Sequence, residues 1–333
     1  MNTSMQSRRR FLGGNLALAF AAGLGASGAG RAAEPSAALR IVCVGPAGST
    51  PDIVARRFGQ SLASHFPGGV VVDNRPGAGG QIAINALKQS PHDGATVLLA
   101  QGAVATVYPY LYPKLAYDPI ADLMPVSLAA EMTLGLAVGP AVPNSVTSLP
   151  KLVEWMRANP GAANYGSPGT GTLPHLLAAM WFREAGIDAQ HVVYAGGPPA
   201  LVDLMGGRIA VLVLPEGLLR QHQAAGRLRV LATSGATRTG YLPDVATFAE
   251  QGFKAQVVLE WFAFFMSGRS SAAVIENLSS DIRQAVAEPQ FDSAFADSGM
   301  VAAARTPAAL AQRIAQEQRY WEGVLRATGI RAG

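Results

Sequence analysis

From residue 39 onward the chain alternates short β-branched runs with longer amphipathic stretches, and no other feature restricts its fold as much. Leu39–Val44, Val70–Asp73 and Thr96–Ala100 read as strands, each bounded by Gly, Pro or Asp. Between the first two, Val54, Phe58, Leu62 and Phe66 recur every four residues, which predicts a helix over Asp52–Phe66 with one buried face. The later half repeats the style. Strands are expected near Ala163–Tyr165, His191–Tyr194, Ile209–Leu214 and Leu228–Ala232, and two long helices, Ala272–Ala287 and Pro307–Arg326, close the chain. Alternation of this kind predicts an α/β fold with mostly parallel sheets. With 333 residues, 49% of them hydrophobic and 14% charged, the chain has room for two domains and a substantial core. Those proportions exclude a disordered chain or a coiled coil. One cysteine, Cys43, excludes a disulfide framework; set inside an apolar strand, it reads as a buried, inert thiol.

Residues 1–32 read as an export signal. Ser7-Arg8-Arg9-Arg10-Phe11-Leu12 precedes a weakly apolar run from Gly13 to Leu24, and small residues follow. Paired arginines followed by Phe-Leu are the twin-arginine form of that signal. A cut after Ala32 leaves a mature chain from Ala33, expected in the periplasm. The signal also accounts for the basic balance. Its four arginines are the whole excess of 26 basic over 22 acidic residues, so the remainder is neutral and gives no electrostatic reason to expect nucleic acid.

Three strand-to-helix junctions carry the chemistry. They are Gly45-Pro46-Ala47-Gly48-Ser49-Thr50-Pro51-Asp52, Gly166-Ser167-Pro168-Gly169-Thr170-Gly171-Thr172-Leu173-Pro174-His175, and Ala195-Gly196-Gly197-Pro198-Pro199. Thr50 is expected to cap the first helix, with Pro51 at its first position. The second helix is expected to bury Leu176, Leu177 and Met180, and the third Leu201, Leu204 and Met205. Each junction offers unpaired helix N–H groups at the carboxyl edge of a sheet, where α/β folds bind ligands. None of spans 45–51, 166–174 and 195–199 contains Lys or Arg, so a ligand carboxylate there would be held by N–H and hydroxyl dipoles. Ordinary βα turns are the bland alternative; three such loops together favour a ligand cleft.

Enzyme motifs mostly fail. Gly77-Ala78-Gly79-Gly80-Gln81-Ile82 and Gly169-Thr170-Gly171-Thr172-Leu173-Pro174 each lack the small third residue of a dinucleotide fingerprint. No Walker loop, nucleophile elbow or zinc-binding helix is present, and His65, His92, His175, His191 and His222 lack metal-ligand spacing. No cofactor or metal is expected.

At these junctions the chain resembles the solute-binding receptors of tripartite tricarboxylate transporters, the Bug family, over about residues 38–327. The landmarks are Gly48-Ser49-Thr50-Pro51-Asp52-Ile53-Val54-Ala55-Arg56, Val72-Asp73-Asn74-Arg75-Pro76-Gly77-Ala78-Gly79-Gly80, Tyr117-Asp118-Pro119, Asn164 to Thr172 with His175, and Leu242-Pro243-Asp244-Val245. The resemblance implies a two-lobed type II periplasmic-binding-protein fold, each lobe a mixed sheet flanked by helices. One lobe would comprise residues 36–133 plus 262–333 and the other 134–261, with crossing segments near Leu134–Val138 and Leu259–Phe264 and the C-terminal helices returning to the first lobe.

It further implies that Gly48, Ser49, Thr50 and Asp52 line one wall of a cleft. Ser167, Gly169, Thr170, Gly171, Thr172 and His175 would line another, and Gly196, Gly197 and Pro198 a third side. The expected ligand is a small organic carboxylate, handed on to membrane permease subunits by a receptor expected to be monomeric and not an enzyme. Asp52 has a competing role against the helix dipole, and His175 an equal claim to pinning its loop. The Asn74–Gly80 run reads as structural, with Arg75 tying the loop down. Departures from the family are Ser49 for a usual glycine, Ala195 where a cation is common, and Tyr108 where Asn is common. These leave the cleft less polar. Tyr108, Tyr165 and Trp261 either offer ring faces suited to an aromatic or longer-chain carboxylate or, as aromatics of this kind more often do, belong to the core. The rival readings are an exported enzyme using His175 and Asp52 as acid and base, and a ligand-presenting partner of a sensor kinase.

Overall fold

In Leu39–Cys43 every residue but Arg40 is buried, as befits a strand covered on both faces. This strand, β1, pairs in parallel with β2 (Val70–Asn74) and β3 (Thr96–Gln101). The computed structural model describes residues 38–331 except 254–256, 289–290, 292–294 and 296–298. The export signal expected over 1–32 lies outside the described residues.

Helix α1 (Thr50–Leu62) follows β1 and buries Val54, Phe58 and Leu62, the face that the four-residue spacing predicts; Phe66 is half-buried beyond the helix end. Helix α2 (Gln81–Lys88) leads to β3, and two single turns, α3 (Ala103–Thr106) and α4 (Tyr108–Leu111), follow it. Then comes β4 (Leu123–Val138), sixteen residues long. Beyond it run α5 (Leu149–Ala158), β5 (Asn164–Ser167), α6 (Leu173–Glu184), β6 (Gln190–Val193), α7 (Gly197–Met205), β7 (Val211–Pro215), α8 (Glu216–Ala224) and β8 (Arg229–Thr233). The chain closes through β9 (Leu259–Ser267), α9 (Ala272–Val286), β10 (Val301–Ala302) and α10 (Pro307–Thr328).

The strand order is β2-β1-β3-β9-β4-β7-β5-β6, with β8 and β10 pairing to β4. The flanks are parallel, since β5 pairs in parallel with β6 and β7. The centre is antiparallel: β9 runs against β3 and β4, and β4 against β7 and β8. The sheet is therefore mixed where the alternation alone predicts mostly parallel pairing. Both expected crossing segments fall on these central strands. Along β4 the partner changes at Thr133/Leu134, from β9 to β7 and β8. Helix α9 packs on α1 and β4, and α10 on β4 and α3.

Phe58 of α1 meets Phe264 of β9 edge-on with centroids 4.9 Å apart, and also Phe291 and Phe295 at 4.8 and 5.8 Å. This cluster joins the first helix of the chain to a strand two hundred residues on. Phe58→Ala leaves a cavity that backbone on several sides cannot close. It is expected to lower unfolding free energy by about 3–5 kcal/mol, read as a lower urea midpoint with unchanged slope.

Candidate functional site

The strand order brings the carboxyl ends of β1, β5 and β6 to one cavity of about 430 Å³. At its first wall, Gly48 takes φ +77° and Ser49 the extended φ/ψ of −78°/162°, so Ser49, not Thr50, is the N-cap of α1. The Ser49 hydroxyl turns back and donates to the Pro46 carbonyl. Thr50 thus sits inside the first turn. It is 5% exposed, lines the cavity, and its Oγ1 has no hydrogen-bond partner. In the second wall, Thr172 caps α6 in extended conformation, and its hydroxyl donates to the Gly169 carbonyl at 2.8 Å. Gly196 caps α7 at φ +111°; a Cβ there would lie 2.7 Å from the Pro46 ring, so only glycine lets these two loops meet.

Of the residues expected at the site, Ser49, Thr50, Gly169, Thr170, Thr172, Gly196 and Gly197 line this cavity. Gly48, Asp52, Ser167, Gly171, His175 and Pro198 do not. Gly48 and Pro198 border a separate depression beside α7 and α8.

Asp52 faces its own loop. Its carboxylate accepts from the Gly48 N–H at 2.9 Å, Arg56 Nε at 3.0 Å and Asn74 Nδ2 at 3.0 Å, and Asn74 also donates to the Gly45 carbonyl. Burial opposes the charge, but these donors outweigh it and hold the carboxyl below its ordinary value.

His175 and Ser167 support the second loop from beneath. The Gly171 N–H donates to His175 Nδ1 at 3.1 Å, which assigns the ring proton to Nε2. His175 stacks on His191 with centroids 4.0 Å apart, His191 stacks on Tyr165 at 4.8 Å, and Ser167 Oγ lies 2.7 Å from His191 Nε2. Burial, and for His175 also the neighbouring His191, pushes His175 down to about 3; burial pushes His191 down to about 4. Both rings are neutral at pH 7.

The three aromatics that could present ring faces are all turned elsewhere. Tyr108 is fully buried and donates to the Gly79 carbonyl at 2.7 Å, Tyr165 ends the histidine stack, and Trp261 Nε1 donates to Glu317 of α10. Tyr112, Tyr194 and Phe262 line the cavity instead. The Asn74–Gly80 run, expected to be structural, contributes to the cavity as well: Pro76 to Gln81 line it. Gly77, Ala78, Gly79 and Gly80 all take positive φ, and a Cβ on Gly79 would lie 2.5 Å from the Tyr108 hydroxyl. Three glycines in four residues carry the same close-approach signal as the other loops. Gln101, Leu218 and Glu260 also line the cavity, and no sequence motif marks them. Arg75 is tied to Asp73, with Nε 2.9 and 3.0 Å from its two oxygens. Cys43 is fully buried, and burial pushes its thiol up to about 12.

No cation lines the cavity among the described residues. Three helix N-termini converge on it, their loops lined by Gly, Pro, Ser and Thr beside the apolar Val44, Leu214, Leu218 and Phe262, an arrangement suited to binding an anion without a counter-charge. Residues 54–330 match the model of the tripartite tricarboxylate transporter family receptor. The chain belongs to that receptor family. It is 32% identical to protein BugT of Bordetella pertussis over 298 residues, covering 89% of this chain and 91% of BugT. A solved periplasmic transporter protein is 30% identical and superposes with a TM-score of 0.83, covering 89% of this chain and 99% of the other. Rpa4515 of R. palustris, solved with adipate, is 25% identical with a TM-score of 0.83, covering 87% and 97%. The family consists of periplasmic solute-binding receptors, and this member is a binding protein, not an enzyme. Asp52 and His175, the candidate acid–base pair, are engaged as supports, Asp52 by Gly48, Arg56 and Asn74 and His175 by Gly171.

Because both histidines bind protons less readily folded than unfolded, their contribution to stability is complete above pH 6.5 and is lost as pH falls from there towards 4 and below. For His175 the loss reaches about 1.4 kcal/mol per pH unit. Melting temperature is expected to fall between pH 7 and 5. His175→Asn keeps an acceptor for the Gly171 N–H without a titrating group, so it should flatten this slope.

Proposed function

We propose that this receptor works in the periplasm after twin-arginine export. There it closes two lobes, residues 36–133 plus 262–333 and residues 134–261, around a small organic carboxylate and passes it to membrane permease subunits. Thr50 carries the reading. A buried hydroxyl without a partner, at a helix N-terminus on a residue that lines the cavity, is costly in the empty protein, and an acceptor oxygen reached by rotation of that side chain would relieve it. The ligand carboxylate takes that position, accepting from Thr50 Oγ1 and from the N–H groups at the starts of α1, α6 and α7. Ser49, Gly169, Thr170, Thr172, Gly196 and Gly197 shape its seat. Asp52, Ser167, Gly171 and His175 hold the loops in place, and Gly48 and Pro198 set the turns that enter α1 and α7. The adipate bound by the R. palustris relative supports a carboxylate ligand.

Thr50→Val separates binding from folding. The methyl replaces a hydroxyl that bonds to nothing in the empty protein, so stability is expected to hold or rise. A hydrogen bond to a charged group is worth about 1.5–3 kcal/mol, so affinity for a captured carboxylate should fall roughly ten- to hundredfold. Thermal melting of the mature chain against mono-, di-, tri- and aminocarboxylates identifies that ligand, because saturation at a hundred times Kd adds about 2.7 kcal/mol. A flat panel, with denaturing mass spectrometry finding no acid already bound, would overturn the carboxylate reading. Lobe closure predicts a smaller radius of gyration with ligand, and unchanged scattering at saturation would sink it.

A further inference from the structure

Glu260 is the one carboxyl that lines the cavity among the described residues. It lies near the start of β9, 4% exposed, with Phe262 lining the cavity two residues on. Its Oε1 accepts from the Trp261 N–H at 3.2 Å, which leaves Oε2 for whatever enters. The charge that acts on it among the described residues is that of Glu317, also negative. On α10, behind β9, Glu317 accepts from Trp261 Nε1 at 2.9 Å. Arg313 of α10 is shared between Glu317 and Glu131 of β4, at 2.8 and 2.6 Å, and lies over the Trp261 ring. Glu216, buried at the start of α8 beside the cavity-lining Pro215, accepts from Thr239. The cavity's two tyrosine hydroxyls are occupied by the Thr170 carbonyl and by Asp203. No cation lines the cavity to pair a second ligand carboxylate, which would meet Glu260 only as its neutral acid, whereas an ammonium would pair with the ionised form.

We propose that Glu260 determines specificity: it receives the end of the ligand remote from the carboxylate, and takes an ammonium there in preference to a second carboxylate. The inference rests on the carboxylate-receptor reading and narrows it to aminocarboxylates with separated charges. Burial first, and the charge of Glu317 besides, push the Glu260 carboxyl up to about 8, so at pH 7 the empty cavity holds it mostly as the neutral acid. An arriving ammonium favours the carboxylate. The Glu260 O–H bond then breaks, its proton leaves to the buffer, and the carboxylate keeps the electron pair. Affinity for such a ligand should accordingly rise about tenfold from pH 6 to 7 and level off above 8.

The test is calorimetric titration of the full mature chain with acids matched in carbon number: 4-aminobutyrate and succinate, 5-aminopentanoate and glutarate, 6-aminohexanoate and adipate, with the simple monocarboxylates alongside. At least one amino acid is expected to bind tenfold or more tighter than its dicarboxylate partner. At pH 7, comparison of buffers with different ionisation enthalpies should show close to one proton released. Glu260→Gln keeps the size and the acceptor for Trp261 N–H; it is expected to weaken the amino acid at least tenfold, abolish proton release, and narrow or reverse the preference over the dicarboxylate. Tighter binding of dicarboxylates, binding of monocarboxylates alone, or a preference unchanged in Glu260→Gln would overturn the proposal and leave the receptor reading intact. Failure of every one of these acids to bind would overturn this proposal, and the wider melting panel with mass spectrometry then decides the receptor reading.

Discussion

The architecture depends on the sixteen-residue strand β4. Its first part, to Thr133, pairs with β9, and its last part, from Leu134, pairs with β7 and β8. One continuous backbone ladder therefore joins the parallel group β1, β2, β3 to the parallel group β5, β6, β7. Every loop that lines the cavity inherits its position from this join. A slip of one residue would turn each β4 side chain to the other face of the sheet, and its nearly unbroken burial leaves no tolerance for that. A long strand that runs through two pairing groups is also where a hinge between them would bend.

Around the cavity the labour is divided. The three glycine-rich loops face it with small and hydroxylic residues, and Asp52, Tyr165, His175 and His191 stand behind them. Asp52 collects three donors and locks the first loop to β2. The Tyr165–His191–His175 stack carries the second loop, with His175 accepting from Gly171 and Ser167 meeting His191. Fixed dipoles of this kind bind an anion without a reorganising counter-ion, and the absence of lining cations makes the one lining carboxyl, Glu260, unusually consequential.

Much of the molecule was legible in the chain. The spacing of Val54, Phe58 and Leu62, the Gly-Pro-Thr signals at strand ends, and the expected burial of Leu176, Leu177, Met180, Leu201 and Leu204 all appear as expected, while Met205 is only half-buried. Local chemistry decides such features, so local sequence carries them. β4 was legible only at Leu134–Val138, because a long apolar run without alternation fits a buried strand and a buried helix equally. The cap of α1 moved from Thr50 to Ser49 because the positive φ of Gly48 delivers the chain one residue earlier, and that shift frees the Thr50 hydroxyl.

The sequence by itself determined the succession of strands and helices, the three glycine-rich loops and their lack of cations, since these depend on neighbours a few residues apart. Tertiary structure alone decided which polar groups face the cavity. Asp52 and Thr50 are two residues apart, yet Asp52 turns to Arg56 and Asn74 while Thr50 lines the cavity. Tyr108, Tyr165 and Trp261 became supports while Tyr112, Tyr194 and Phe262 took the cavity face. Glu260 carries no motif at all. Its role follows from a long-range antiparallel register that sets β9 between β3 and β4 at the ends where the loops meet, and contacts between residues more than 120 apart in the chain leave no local trace in it.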